Sequence, residues 1–317
     1  MEIERLELLA SIAKMWFIDN MTQAQIASRC GYSRSMISRF LDEARFNGIV
    51  EVRIKYPLAR NESLETQLIN KFDLKVARVL MRETLTEDEM VRRLGILAAR
   101  LLDELVGPAM TIGVGWGTAL SEMINSTSSK TFLDIQVVQL IGAPGSEPEF
   151  DGPGLVQRLA RTYGGSYSTI SAPLIVDSVQ TRESLMKDKR IQAVLLNAED
   201  MDIALFGIGD LSSENSSLLR SGYLTSDEAR DLVQIGAVGD VCAYAFDING
   251  NLVNHQIMNR IIGVDPETLR NAPIRLGVAG GQYKTLPILG AIRGGFINVL
   301  VTDDVVADSL LKLQKNQ

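Results

Sequence analysis

The N-terminal residues alternate apolar and polar positions with a helical period. Between residues 3 and 18 the apolar positions are Leu6, Leu9, Ile12, Ala13, Trp16 and Phe17. This spacing predicts one amphipathic helix. In Ile49–Ile54, after Asn47-Gly48, apolar and polar residues alternate one by one, which is typical of a short strand. Pro57 follows this strand and ends the first module.

Residues 22–40 have the pattern of a helix-turn-helix. Ala27 is small where two helices must approach closely, and Gly31 lies where the turn needs a positive φ angle. Ser33 is placed to cap the second helix, which Asn47-Gly48 closes. The apolar positions that would face inward are Ile26, Cys30, Ile37 and Phe40. With Ile49–Ile54 as a wing, residues 1–56 are predicted to form a winged helix-turn-helix domain.

The second helix of this motif begins with side chains suited to DNA. Arginine and serine that point outward from its first two turns can contact phosphates and base edges in a major groove. The alternative is a helical hairpin with a solvated basic face, and the combined pattern favours DNA binding. The predicted DNA-binding residues are Thr22, Gln23, Ser33, Arg34, Ser35, Ser38 and Arg39.

The rest of the chain, residues 57–317, alternates strand and helix patterns. A short apolar stripe at Leu64, Leu68, Ile69 and Phe72 predicts a helix that could pack on the second domain or pair two protomers. The strand candidates are Lys75–Met81, Ala109–Val114, Ile135–Ile141, Ser166–Ser171, Asp202–Ile208, Ile274–Ala279 and Phe296–Thr302. Such alternation predicts a parallel sheet covered on both faces, a Rossmann-like α/β domain.

Four glycine-rich loops follow predicted strands: Gly113–Thr118, Gly142–Gly145, Gly207–Asp210, and Gly280-Gly281 with Lys284. Ligands of such sheets bind beyond the carboxyl ends of the strands, and the first loop could hold a phosphate with its N–H groups and the Thr118 hydroxyl. Simple turn chemistry is the alternative. The first loop has neither the dinucleotide nor the triphosphate fingerprint, so a small phosphorylated metabolite fits better than NAD or ATP. We expect no cofactor.

Three charged residues near these loops are candidate ligand contacts. Lys284 could neutralise a phosphate, or it could be an exposed lysine at a helix start. Asp240 could accept hydrogen bonds from sugar hydroxyls, or it could be a cap or turn aspartate. Arg220 could bind a phosphate through its planar fork, although a lone surface arginine would carry no meaning.

The charge is divided unevenly along the 317 residues. The net charge is −7, but residues 1–56 contain eight Lys/Arg against seven Asp/Glu, whereas the remainder contains 24 against 32. Only the N-terminal module is therefore suited to binding a polyanion, and as a monomer it would bind weakly.

Two separated cysteines and one histidine argue against a zinc site or disulfides. A charged N-terminus and the absence of a long apolar run predict a cytoplasmic protein with no membrane partner.

In the order and spacing of its motifs, the chain resembles the SorC family of sugar-responsive bacterial transcriptional regulators. The resemblance covers nearly the whole length. Its blocks are Met21–Ala27, Ser38–Arg45, Asn47–Val50, Gly113–Thr118, Ala204–Gly209, Gly236–Asp240, Phe246–Gly250, Gly277–Gly281 and Gly295–Asp303.

The resemblance implies an effector domain with the fold of glucosamine-phosphate deaminases and ribose-phosphate isomerases, occupied by a phosphosugar. It also implies a homodimer or homotetramer that binds double-stranded operator DNA near genes of sugar or polyol catabolism and is loosened by the phosphosugar. We therefore expect a repressor rather than an enzyme; a phosphosugar isomerase or deaminase fused to a DNA-binding domain is the alternative. By position, the effector residues are Gly115, Gly117, Thr118, Gly142, Arg220, Asp240 and Lys284, of which Arg220 matches least securely.

Overall fold

The computed structural model describes residues 2–50, 58–128, 132–143, 152–211 and 216–313. The chain divides into two compact units, Met1–Pro57 and Leu58–Gln317. The described part of the first unit is helical, and the second unit is a mixed α/β structure.

Three helices form the described part of the first unit: α1 (Glu2–Phe17), α2 (Gln23–Cys30) and α3 (Arg34–Phe46). The helix predicted over residues 3–18 is thereby confirmed. Leu6 and Phe17, the two ends of its apolar stripe, remain 42% and 38% exposed. The helices meet in one apolar core, made of Leu9, Ile12, Ala13, Ile26, Ala27, Ile37, Phe40, Leu41 and Ala44.

Local hydrogen bonds define the turn between α2 and α3. The Thr22 hydroxyl accepts the Gln25 N–H at 3.3 Å, and the Gln25 side chain accepts the Thr22 N–H at 2.8 Å, which makes a capping box. Gly31 ends α2 with φ +74°, a conformation that suits glycine. The Ser33 hydroxyl accepts the Met36 N–H at 3.3 Å at the start of α3. The positive φ of Gly31 and the cap at Ser33 confirm both predictions.

The predicted wing, Ile49–Ile54, lies mostly outside the described residues. Its first two residues, Ile49 and Val50, are half-buried against the helical core. Their N–H groups both donate to the carbonyl of Ala44, at 2.9 and 3.2 Å. The chain therefore leaves α3 close to the core.

The second unit consists of alternating helices and strands. Its strands are β1 (Val76–Leu80), β2 (Thr111–Val114), β3 (Gln136–Gln139), β4 (Ser166–Ser168), β5 (Ile203–Gly207), β6 (Ala237–Val241), β7 (Tyr244–Asp247), β8 (Ile274–Val278) and β9 (Val299–Asp303). Its helices are α4 (Glu62–Phe72), α5 (Glu87–Leu105), α6 (Thr118–Ser126), α7 (Gly152–Tyr163), α8 (Val179–Met186), α9 (Lys189–Asn197), α10 (Ser217–Arg220), α11 (Ser226–Gln234), α12 (Pro266–Asn271), α13 (Thr285–Arg293) and α14 (Asp304–Lys312). Short 3-10 helices cover Gln256–Arg260 and Gln282–Lys284.

Within the described residues, seven strands form one parallel sheet in the order β1-β9-β8-β5-β2-β3-β4. They are the seven strands predicted from the sequence, with ends that differ by up to three residues. From β2 the chain continues outward through β3 and β4. It then returns to β5 on the other side of β2 and proceeds outward to β8 and β9. In an open parallel sheet such a change of direction opens a crevice at the carboxyl ends, here between β2 and β5.

Apolar clusters cover both faces of the sheet. One contains the buried rings of Phe206, Phe246 and Phe296, and the other contains Met90 and Leu94 of α5. Neighbouring residues of β3, β5 and β9 enter opposite clusters, as Leu205 and Phe206 do, so the sheet is covered on both faces. This confirms the predicted Rossmann-like α/β class. None of the helices in the described part of the chain is both long and apolar enough to span a bilayer.

Helix α4 packs on its own unit. Leu64 and Leu68 are buried in the same cluster as Phe206. The Lys71 ammonium donates to the carbonyls of Leu311 and Leu313, at 2.7 and 2.5 Å, and so caps the end of α14. The first of the two roles left open by the sequence, packing on the second domain, is the one observed.

The antiparallel pair β6–β7 was not predicted. Asp240, for which the sequence leaves open a ligand contact or a cap or turn role, lies inside β6. The two residues that connect the strands, Cys242 and Ala243, are not the asparagine or glycine that ordinarily signal a two-residue hairpin.

Candidate functional site

A cleft opens at the carboxyl ends of β2, β5 and β8, at the predicted crevice. The cleft is open to solvent, and the space within it, including its open mouth, is about 910 Å³. Its walls come from the loops after these strands, the first turn of α5, helix α10 and the β6–β7 hairpin. Five of the seven predicted effector residues line it: Gly117, Thr118, Arg220, Asp240 and Lys284.

The loop after β2 presents the N-terminus of α6 to the cleft. Gly117 is the residue before the helix, has φ +131° and provides no side-chain cap. Ser121 donates its N–H back to the Gly117 carbonyl at 2.9 Å, so the preceding N–H groups of the first turn have no intrahelical acceptor. The exposed Thr118 hydroxyl lies beside them. This arrangement is suited to an anion.

The side chain of Arg220 lies at the same end of the cleft. Arg220 is the last residue of α10, and its Nη2 donates to the Thr118 hydroxyl at 3.5 Å. The fold thus brings together two predicted residues that are 102 positions apart. A guanidinium next to open backbone N–H groups favours a phosphate, because planar bidentate donors match its oxygens.

Asp240 of β6 lines the cleft and is only 4% exposed. Its Oδ2 accepts the Ala243 N–H at 3.1 Å. Burial raises the pKa of Asp240 to about 6, while the nearby Lys284 charge opposes the rise and Asp210 adds to it. A buried carboxylate of this kind is a hydrogen-bond acceptor for ligand hydroxyls.

Lys284 lies at the start of α13, across from Asp240. Its Nζ donates to the Ile208 carbonyl at 2.8 Å and lies 5.3 Å from the centre of the Tyr283 ring. Burial lowers the pKa of Lys284, whereas the charges of Asp240 and Asp210 oppose this shift. The lysine is therefore part of the cleft wall rather than an exposed residue at a helix start.

Two predicted effector residues do not line the cleft. Gly115 donates its N–H to the Leu205 carbonyl at 2.9 Å, and Gly142 donates its N–H to the Ile262 carbonyl at 2.9 Å. A Cβ on Gly142 would lie 2.3 Å from the Pro173 oxygen. Both glycines allow close packing of the backbone instead of facing the cleft, and residues 144 and 145 of the second glycine loop lie outside the described residues.

Sequence reasoning missed an acidic part of the wall. Glu87 and Asp88 from the first turn of α5 line the cleft, and Glu87 Oε2 is paired with Arg82 at 2.9 Å. In the sequence, Thr86–Glu89 has the pattern of a capping box, which by itself indicates only the start of a helix. A helix that follows a parallel strand begins at the same edge of the sheet as the glycine loops, and this relation would have placed Glu87 at the cleft. Tyr283 was also missed; burial, together with the Glu87 charge, raises its pKa to about 12.

The first unit presents the predicted DNA-contacting side chains on its surface. Arg34, Ser35 and Arg39 on α3 are exposed, and Ser38 is half-buried. Ser33 and Thr22 are exposed at the two helix starts, and Gln23 is half-buried. The guanidinium of Arg5 in α1 is engaged within the unit: it pairs with Glu43 at 2.5 Å and lies 4.3 Å from the centre of the Phe40 ring.

Comparisons with known proteins cover almost the entire chain. The Sugar-bind family model, described as "Putative sugar-binding domain", matches residues 56–312. The chain is 32% identical over 310 residues to the sorbitol operon regulator of Klebsiella pneumoniae, which covers 97% of this chain and 98% of that protein. It is 34% identical over 308 residues to the transcriptional regulator LsrR of Escherichia coli K12, with coverage of 96% and 95%.

A solved structure agrees with these relatives. The crystal structure of the full-length sorbitol operon regulator SorC from Klebsiella pneumoniae matches with a TM-score of 0.76 and 32% identity, covering 96% of this chain and 98% of that one. These relatives are named regulators and not enzymes, which favours a regulator over the isomerase or deaminase alternative. The single histidine, His255, caps the 3-10 helix at Gln256–Arg260 and is not in the cleft lining. The chain belongs to the SorC family of sugar-binding transcriptional regulators.

Proposed function

We propose that the protein is a repressor whose residues 1–56 bind operator DNA and whose residues 57–317 bind a phosphorylated sugar that releases it. One observation carries this proposal: the same cleft is lined by Arg220 in contact with Thr118, which can bind a phosphate, and by Asp240, whose carboxylate can accept hydrogen bonds from hydroxyls. A phosphate and a polyhydroxylated chain or ring would satisfy the two parts of the cleft simultaneously.

The phosphate would lie at the start of α6. There the open N–H groups, the Thr118 hydroxyl and the Arg220 guanidinium provide donors and positive charge. The sugar would extend toward Asp240 and Lys284. Lys284 already donates to Ile208, so its charge serves to compensate Asp240 and the ligand phosphate.

The DNA would be bound by α3 in the major groove. Exposed Arg34, Ser35 and Arg39 near its start correspond to the positions that read base edges and phosphates in helix-turn-helix proteins. One such module carries little net positive charge, so a homodimer or homotetramer would supply paired modules for half-sites about one helical turn apart. To weaken operator binding about a hundredfold, the ligand must favour the non-binding arrangement by about 2.7 kcal/mol.

Two measurements test this proposal. In a thermal-shift screen, a phosphorylated sugar or polyol should raise the Tm, while its unphosphorylated counterpart at the same concentration should not. Genomic fragments retained by the protein are then used in gel shifts with and without the active compound, which should release them. A protein that prefers no genomic fragment over bulk competitor, or whose retained fragments are unaffected by every compound that binds, would contradict the proposal.

A further inference from the structure

The turn between β6 and β7 holds two adjacent non-glycine residues in the left-handed region. Cys242 has φ +52° and Ala243 has φ +66°. Two-residue hairpin turns with positive φ at both positions ordinarily use asparagine, aspartate or glycine. Because cysteine and alanine are strained in this conformation, contacts around the turn must hold it.

The contacts that hold the turn come from the walls of the cleft. Ala243 donates its N–H to Asp240 Oδ2 at 3.1 Å. The Cys242 sulfur lies against Gly115, where a Cβ would be 3.1 Å from Sγ. On the other side of the hairpin, a Cβ on Gly239 would lie 2.7 Å from the Cβ of Pro287 in α13. The turn is thus packed between the loop that leads to α6 and the helix that follows Lys284.

Gly209 provides the space for the Asp240 carboxylate. The two residues exchange backbone hydrogen bonds of 2.8 and 3.3 Å. A Cβ on Gly209 would lie 1.7 Å from Asp240 Oδ1, and its three nearest atoms would all belong to that carboxyl group. Gly209 is not among the glycines with positive φ. Glycine is therefore needed here for the space that it leaves and not for its backbone conformation.

We propose that Gly209 and the Cys242-Ala243 turn are positioning elements for Asp240, which fix one carboxylate oxygen in the hairpin and present the other to a sugar hydroxyl. Among the described residues no group donates a hydrogen bond to Oδ1, whereas Oδ2 is used by Ala243. The inference rests on the proposed function, because it assigns the hydroxyl contact within the same cleft. The cleft then selects sugar phosphates that carry a hydroxyl at one set distance from the phosphate.

A double-mutant cycle tests the role of Gly209. The full-length protein is titrated calorimetrically with ribose 5-phosphate, glucose 6-phosphate, glucitol 6-phosphate and inorganic phosphate. Gly209→Ala should weaken binding of the best of the three sugar phosphates at least tenfold and change inorganic phosphate binding less than twofold. In an Asp240→Ala background, Gly209→Ala should change either affinity less than twofold, because the carboxyl group that it displaces is gone. Equal losses in both backgrounds would overturn the proposal.

A second pair of variants separates the two oxygens of Asp240. Asn at position 240 keeps an oxygen for the Ala243 N–H but replaces the other oxygen with an NH₂ group. Asp240→Asn should therefore lose the sugar contact and unfold at a higher temperature than Asp240→Ala, which also loses the turn contact. Both replacements are neutral, so the comparison contains no change of charge. Equal Tm values for the two variants would show that the carboxylate does not hold the turn.

The ligand-free part of the cycle distinguishes this proposal from the proposed function. Gly209→Ala should lower the Tm when Asp240 is present and lower it much less when Asp240 is alanine, whether or not any sugar phosphate binds. If that coupling is found but no sugar phosphate binds the wild type, the assignment of the ligand class fails and with it the hydroxyl contact. If sugar phosphates bind but the coupling is absent, only the positioning role is wrong.

Discussion

Lys284 donates a hydrogen bond from its ammonium to the main-chain carbonyl of Ile208 at 2.8 Å. This bond joins the loop after β5 to the segment between β8 and α13, and these are two walls of the same cleft. Because the donor is charged and the acceptor is backbone, the bond fixes the lysine whatever ligand is present. The ammonium group of Lys284 is therefore fixed near Asp240 before any ligand binds.

Lys284→Met tests this arrangement. Methionine retains most of the apolar stem but removes the charge and the bond to Ile208, so sugar phosphate affinity should fall at least tenfold. Operator binding without ligand should change less than twofold, because the first unit is unaltered. Lys187→Met, at an exposed lysine, is the control and should bind like the wild type. Calorimetry and gel shifts give the two readouts, and an unchanged sugar phosphate affinity would remove Lys284 from the site.

Thr118→Val examines the phosphate end alone. The substitution preserves the shape of the side chain and removes the hydroxyl that accepts from Arg220 and faces the cleft. Loss of one hydrogen bond to a charged group should weaken inorganic phosphate binding about tenfold. Thr66→Val removes an exposed hydroxyl of α4 that donates to the Glu62 carbonyl of the same helix, and it serves as the matched control. Equal phosphate affinities for the two variants would place the phosphate elsewhere.

The sheet and the helix-turn-helix could be predicted because their signals are local. The seven predicted strands correspond to the seven strands of the parallel sheet, and Gly31 and Ser33 determine the local conformation of one turn and one helix cap. The position of the cleft also followed from the sequence, because carboxyl ends of parallel strands lie at one edge. Thr118, Arg220, Asp240 and Lys284, which are predicted from the chemistry of their side chains, all line this cleft.

The parts that could not be predicted depend on contacts distant in sequence. Gly115 and Gly142 resemble ligand-facing glycines, since close packing and ligand approach both require the absence of a Cβ. The hairpin was missed because Cys242 and Ala243 lack a turn signature and because Cys242 packs against Gly115, which is distant in sequence. Whether a glycine faces a ligand or a neighbouring strand is decided only once the loops are assembled.

Arg39→Ala should impair operator binding without affecting the cleft. Arg39 is exposed on α3, and loss of a bidentate or phosphate contact from each half-site should weaken binding at least tenfold. Arg230→Ala removes an arginine of the second unit that is 64% exposed and paired with Asp227, and should bind DNA like the wild type. The comparison uses gel shifts on a fragment that the wild type retains. Equal affinities of the two variants would contradict the assignment of α3 as the reading helix.

The affinity for sugar phosphates should depend on pH through Asp240. Its pKa in the folded protein is raised to about 6 by burial, with Lys284 and Asp210 as the facing charges, so protonation below pH 6 removes its accepting charge. The ligand phosphate titrates in the same range. The relevant quantity is therefore the ratio of wild-type to Asp240→Asn affinity, which should decrease as the pH is lowered from 7.5 to 5. A constant ratio would contradict a role for the ionised carboxylate.

Ionisation of Asp240 favours ligand binding but lowers the stability of the folded protein. The folded protein binds this proton more tightly than the unfolded chain does, so between the ordinary aspartate pKa and about 6 the contribution of Asp240 to stability decreases as the pH rises. Above pH 6 Asp240 is ionised in the folded protein, and its buried charge lowers the free energy of unfolding by the largest amount. The Tm of Asp240→Asn relative to wild type should therefore be highest above pH 6 and should decline toward pH 4. A difference that is independent of pH would show that Asp240 titrates normally.

Gly31→Ala should destabilise the first unit without any steric clash. Its φ of +74° disfavours alanine, but a Cβ there would have no atom within 4 Å, so the cost is that of the backbone alone, about 1 kcal/mol. Gly31→Asn should lose less, since asparagine tolerates this conformation, and Ser28→Ala on the exposed side of α2 should change stability by less than about 0.5 kcal/mol. Urea unfolding is followed by the fluorescence of Trp16 in a Trp116→Phe background, because these are the chain's two tryptophans. An alanine variant as stable as the wild type would mean that the turn is not held in this conformation, and α3 would then lack a defined orientation for reading DNA.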